Sequence, residues 1–227
     1  MAVTRRTFLK GALALAGTGM SGALAVPALK SLLPPPVLRC NSDEAHDTLT
    51  YKGESGTWYE SLEGKVARKE DFQLNQSAMI MWAPKELEEE LGSCNVVLTL
   101  VKVPAEDAMA EWGIPDDGGN AMMMAYHTYK CPHLCCKPVF KNKGVSSLSG
   151  DAYENMFLCP CHLSRFDPLS IIENIDEKGR PVMVAELIEG PAPYGLPIVP
   201  LVERDGELVG TTDKLEWLKY CGLGLDE

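Results

Sequence analysis

The chain has 227 residues, enough for one well-packed domain with room for a smaller inserted module. Hydrophobic residues make up 45% and charged residues 23%, so most of the chain is expected to fold. A formal net charge of −11 argues against a nucleic-acid-binding surface, because phosphate binding needs clustered Lys and Arg.

Residues 4–10 read TRRTFLK, in which two adjacent arginines precede an apolar residue, a leucine and a lysine. That is the pattern of a twin-arginine export signal, which places residues 1–10 in its n-region. From Gly11 to Leu29 no charge occurs. Two readings stay open for 11–33. Ala23-Leu24-Ala25 fits a small-x-small cleavage site. A retained membrane-anchor helix is favoured by the length of the uncharged stretch, since about 20 residues span a bilayer. Lys30 is placed to snorkel at its far end, and Arg5, Arg6 and Lys10 obey the positive-inside rule. The anchor reading puts the rest of the chain on the extracytoplasmic face of a membrane. Pro34-Pro35-Pro36 and the polar run after it read as a stiff linker over 34–50.

The body follows from residue 51. APKELEEELG, with Pro84 and Gly92 as start and stop signals, reads as a short helix with a solvated acidic face. Val96–Val101 and Ala121–Tyr129 read as strands, and the run Met122-Met123-Met124 as a buried strand with no metal role. Asp205-Gly206 between two apolar runs signals a hairpin, and Thr212-Asp213 a cap for a short helix at 214–220. With no long amphipathic helix and no internal repeat, the fold class is mainly β.

Two boxes carry the chemistry. The first is Cys131-Pro132-His133-Leu134-Cys135-Cys136; the second runs Cys159-Pro160-Cys161-His162-Leu163-Ser164-Arg165-Phe166-Asp167-Pro168. Each holds a Cys and a His at loop spacing, C-x-H and C-x-x-H, so Cys131, His133, Cys159 and His162 make a four-ligand set. Zinc would take such a set as a closed tetrahedral structural site. A 2Fe–2S cluster would take the two Cys on one iron and the two His on the other. Spacing does not separate these, but three features favour iron. Each box has a second cysteine, Cys136 and Cys161, that ligation does not need and that could join the loops. Ser164 offers a hydroxyl to a cluster sulfur. The export signal is of the kind that carries folded, cofactor-loaded proteins.

The boxes resemble those of Rieske proteins, in which C-T-H-L-G-C is followed by C-P-C-H-G-S-x-Y-D. Downstream, Gly190-Pro191-Ala192-Pro193 resembles the proline loop that packs over the cluster in the Rieske subunits of cytochrome bc-type complexes. The hairpin at Asp205-Gly206 resembles the closing hairpin of those domains, so the similarity spans roughly residues 120–212. The resemblance implies a Rieske-type antiparallel β-sandwich over 51–227, with an inserted cluster-binding subdomain at about 128–195. It implies that Cys131 and Cys159 bind the inner iron, and His133 and His162 the outer, solvent-facing iron. It also implies a loop-to-loop disulfide between Cys136 and Cys161, and a hydrogen bond from Ser164 to a bridging sulfide.

Three positions depart from the pattern. Cys135 and Leu163 stand where the family has Gly, which predicts altered loop shapes, since a side chain disfavours left-handed backbone angles. Phe166 stands where the family has a Tyr whose hydroxyl bonds a ligand sulfur, which predicts a lowered reduction potential and a low-potential quinol such as menaquinol. Cys135 reads as a buried thiol, Cys94 with Cys221 as a conceivable disulfide, Cys40 as no lipidation site, and His46 and His127 as ordinary structural histidines.

In function, the resemblance implies the Rieske subunit of a membrane quinol:cytochrome c oxidoreductase. His162 would contact quinol beside a cytochrome b-type subunit. The head would then swing on the Pro34–Pro36 region to a c-type cytochrome or equivalent acceptor. The alternative is the small Rieske subunit of an exported molybdenum oxidase such as arsenite oxidase, which relays electrons without touching quinol. Ring-hydroxylating oxygenases have similar ligand spacing but lack the extra cysteine pair, and a zinc-stabilised binding module is the plainest rival.

Overall fold

The computed structural model describes residues 46–84, 96–129, 131–134, 136–175, 179 and 181–211. Twelve strands carry these residues: β1 (His46–Tyr51), β2 (Ser77–Ala83), β3 (Val96–Pro104), β4 (Ile114–Pro115), β5 (Ala121–Tyr126), β6 (Val139–Val145), β7 (Ala152–Leu158), β8 (Arg165–Ile175), β9 (Pro181–Glu189), β10 (Leu196–Val199), β11 (Leu201–Arg204) and β12 (Glu207–Gly210). Every pairing is antiparallel, in the order β11-β12-β1-β2-β3-β5-β10-β9-β8-β7-β6, with β4 on β5. The mainly β expectation holds: the described residues otherwise contain only short 3-10 turns, and no helix among them is long and apolar enough to cross a membrane. The expected anchor at 11–33, the helices near 85–91 and 214–220, and Cys40, Cys94, Cys135 and Cys221 lie outside the described residues.

Period-two side-chain alternation explains where the core forms. In β2, Ala78, Ile80 and Trp82 turn inward, while Ser77, Met79 and Met81 stay partly exposed. β5 is buried along its whole length because it is covered on both faces. Met123 and Ala125 join a core with Leu49, Ile80, Trp82, Leu98 and Leu100. Met122, Met124 and Tyr126 face the opposite core with Val101, Val103, Leu196 and Ile198. The methionine run is thus a buried strand, as its continuous apolarity predicts. Each such side chain contributes about 1.5–3 kcal/mol on burial.

β10 divides its partners. Leu196 and Pro197 pair with β9, and Ile198 and Val199 pair with β5. The long hairpins β6–β7 and β8–β9 therefore join the rest of the sheet through four residues. The Asp205-Gly206 hairpin forms as predicted, with Arg204 opposite Glu207 and positive φ at both turn residues (53° and 79°).

Two boundaries move. The sheet begins at His46, inside the segment read as linker, because fully buried Leu49 anchors β1 between β2 and β12. The strand expected over Ala121–Tyr129 ends at Tyr126, the last residue paired with β3. Thr128 then turns inward, and its hydroxyl lies 2.5 Å from that of Thr99. The chain leaves the sheet there to enter the first box.

Candidate metal centre

Both boxes are tight loops closed by their own backbone. In the first, Cys131 N–H donates to the Cys136 carbonyl at 2.6 Å. In the second, between β7 and β8, Cys159 N–H donates to the Ser164 carbonyl at 2.8 Å and Leu163 N–H to the Cys159 carbonyl at 3.0 Å. A disulfide between Cys136 and Cys161 ties the loops together, as the resemblance implies.

The four candidate ligands are brought together as two pairs. Cys131 and Cys159 are free thiols, 2% and 1% exposed, close enough for one to hydrogen-bond the other. The rings of His133 and His162 meet edge to face, with centroids 4.6 Å apart. His133 is half-buried and His162 exposed, so the imidazole pair is the more solvent-facing end. Among the described residues, no group of three or more His, Cys, Asp or Glu is arranged around one ion.

The electrostatics suit a cationic guest with two ligands at each end. Burial pushes the Cys131 thiol up to about 12, helped by the adjacent Cys159 thiol and opposed by the backbone N–H groups of His133 and Leu134. Two buried thiols resist ionising together unless a metal offsets their charge. His133 Nδ1 is buried without a hydrogen-bond partner, an orphaned lone pair or N–H that costs about 1–3 kcal/mol if nothing meets it. A soft thiolate pair, an imidazole pair and an orphaned ring nitrogen fit a 2Fe–2S cluster bound by Cys131, Cys159, His133 and His162.

Ser164 is fully buried, and its Oγ accepts the N–H of Ala192 at 3.2 Å. That bond uses an oxygen lone pair and leaves the hydroxyl hydrogen to donate elsewhere. The Gly190–Pro193 turn thus packs on the second box. A Cβ on Gly190, whose φ is +102°, would fall 2.4 Å from Ser164 Cα, so only glycine permits the approach. Phe166 is fully buried in the same core as both thiols. The nearby Tyr126 donates its hydroxyl to the Pro168 carbonyl at 2.6 Å, and that bond occupies its hydrogen.

Leu163 corrects one expectation. Where a side chain was expected to disfavour left-handed angles, Leu163 itself adopts φ 63°, which costs roughly 1–2 kcal/mol. The loop closure through its N–H and the disulfide hold it there. Leu163→Gly should therefore change stability by less than about 1 kcal/mol, since relief of strain offsets the added chain entropy. Leu163→Val should cost about 1–3 kcal/mol, because a β-branched side chain tolerates this region poorly. Urea-denaturation midpoints of the two variants test this, and a Val variant as stable as wild type would contradict it.

Sequence reasoning missed the buried Arg165 and Ser146 and the half-buried Glu189 beside the second box. An arginine at the first position of an apolar strand was the one available signal. No family model matches the chain, and no curated protein matches it.

Proposed function

We propose that the chain is a Rieske-type electron-transfer protein, the iron–sulfur subunit of a bc-type, membrane-bound quinol-oxidising complex. The observation that carries this reading is the two-by-two arrangement of donors, with buried thiols at one end and paired, more exposed imidazoles at the other. The antiparallel sheet is compatible with a Rieske-type β-sandwich whose cluster-binding subdomain spans about 128–195. A 2Fe–2S cluster, when bound, supplies one-electron redox chemistry coupled to protonation of its imidazole ligands.

The residues divide the work. Cys131 and Cys159 would hold the cluster from the buried side, where apolar packing keeps water away. His133 and His162 would hold it from the more exposed side. His162, being exposed, would offer its ring nitrogen away from the metal, when deprotonated, to accept the quinol hydroxyl's hydrogen bond and then its proton. Leu134, next in sequence to His133, is exposed and would add an apolar surface to the first box. Ser164 would donate its free hydroxyl hydrogen toward a cluster sulfur, with the Gly190–Pro193 turn packed against it. In this reading the 11–33 segment anchors the protein and the Pro34–Pro36 region is the pivot. A cytochrome b-type subunit completes the quinol site, and a c-type cytochrome receives the electron.

Electron paramagnetic resonance of the dithionite-reduced protein tests the reading. A Rieske-type signal with two irons per chain is expected; a silent protein carrying one zinc would overturn it.

The potential should lie low in the Rieske range, which is roughly −150 to +300 mV, because Phe166 has no hydroxyl to stabilise the reduced state. Phe166→Tyr should raise the midpoint in a redox titration at fixed pH. An unchanged or lower midpoint, with the new hydroxyl seen bonded to sulfur, would refute the cause and the inference of a low-potential quinol.

A further inference from the structure

A second buried polar cluster lies one residue beyond Ser164. Arg165 opens β8 and is 6% exposed. It sits opposite Glu189 in the β8–β9 register, with Nε 3.4 Å from Glu189 Oε1. Its guanidinium carbon stands 5.3 Å from the centre of the Tyr153 ring. Glu189 Oε1 also accepts a short hydrogen bond from Ser146 Oγ. Ser146 Oγ in turn accepts the N–H groups of Leu148 and Ser149, each at 3.1 Å. With two donors on its oxygen, the Ser146 hydroxyl gives its hydrogen to Glu189 Oε1.

The bland account is a structural ion pair. Such a pair is a poor source of stability, since desolvating both charges costs about what their attraction returns. This one is also imperfect: Arg165 Nε and Nη1 are buried without a hydrogen bond. Its place in the fold is more telling. Arg165 directly follows Ser164, and Glu189 directly precedes Gly190, whose backbone lies against Ser164. The two charges bracket the place where Gly190 lies against Ser164 as the proline turn closes on the second box. Ser146 extends the same network to the tip of the β6–β7 hairpin.

We infer that Arg165 and Glu189 are paired positioning residues, whose ion pair clamps the Gly190–Pro193 turn onto Ser164 and holds a balanced charge beside the candidate centre. The electrostatic half of this inference rests on the proposed 2Fe–2S reading. Removing one partner leaves the other's charge uncompensated in a low-dielectric site. A lone carboxylate opposes an added electron, and a lone guanidinium favours it.

The test is a set of redox titrations at one pH on the cluster-loaded protein. Arg165→Gln should lower the midpoint and Glu189→Gln should raise it. The double variant should lie between them, near wild type, and Arg165→Lys should restore the midpoint because it keeps the charge. Loops that are merely loosened would move both single variants the same way; that result, or no shift, would overturn the electrostatic role. Should Arg165→Gln not fold, Glu189→Gln decides alone, with an upward shift supporting the inference and a downward or absent shift overturning it. The clamp has a readout that needs no cluster. In metal-free protein, hydrogen exchange of the Ala192 amide should quicken in either single variant, and unchanged exchange would overturn the positioning role. Absence of a Rieske-type signal from the reduced wild-type protein would instead refute the functional reading and leave the exchange result to judge the clamp.

Discussion

Alanine at His133 or at His162 should abolish the Rieske-type signal of the reduced protein, each by deleting one ligand of a four-ligand set. The two variants should differ little in loss of signal, although the rings differ in exposure, because a missing ligand matters more than where it sat. Their metal-free stabilities should behave differently from their metal contents. His133 Nδ1 is already buried without a partner, so removing it deletes an unmet polar group, and His133→Ala should cost less than about 1 kcal/mol in the metal-free protein. His162 is exposed, and its removal should cost as little. Iron analysis and paramagnetic resonance on purified variants, with urea denaturation of the metal-free forms, check both halves. An unchanged signal in either variant would remove that histidine from the ligand set. A large loss of metal-free stability would mean that the ring acts in packing.

Cys136→Ser should destabilise the protein strongly while leaving all four candidate ligands in place. The disulfide spans a sequence separation of 25. By the chain-entropy relation, a loop of that length stabilises the fold by about 3.5 kcal/mol. In a domain of this size that is a fall in Tm of roughly 10 °C. Cys161→Ser should match it, and the double variant should be no worse, because the three lose one and the same bond. Cys135 adjoins Cys136, so the comparison belongs in a Cys135→Ser background, where substitute pairing is blocked. The second box should feel the loss more than the first. Its Leu163 is held at positive φ by closure of the loop, and this bond cross-links that loop to the first box. Thermal denaturation with and without a thiol reductant provides the check, since reducing the wild type should reproduce the variant. A penalty below about 1 kcal/mol would mean that backbone closure alone holds the boxes.

The local features were open to reading along the chain. The methionine run announced a strand covered on both faces, because continuous apolarity leaves neither side for water. Asp205-Gly206 announced its turn, because few residue pairs accept two successive positive φ values. The two boxes displayed the donor set, since ligand identity and loop spacing are properties of neighbouring residues. The His46–Tyr51 strand was hidden because Leu49 and Tyr51, its two buried residues among polar neighbours, make too short an alternation to carry a periodic signal. Leu163 was misjudged for a related reason: propensity describes the cost of a left-handed residue, and the surrounding bonds decide whether that cost is met.

Composition and spacing by themselves determined a mainly β chain with two Cys–His loops. Tertiary structure decided what those loops become. It set the thiols together in the core and the imidazoles together toward solvent, laid Gly190 on Ser164, and put Arg165 opposite Glu189. The Arg165–Glu189 relation depends on strand register, because a shift of one residue would send either side chain to the other face of the sheet. Register is set by how the β6–β7 and β8–β9 hairpins pack on the shared core, which no local stretch of sequence encodes.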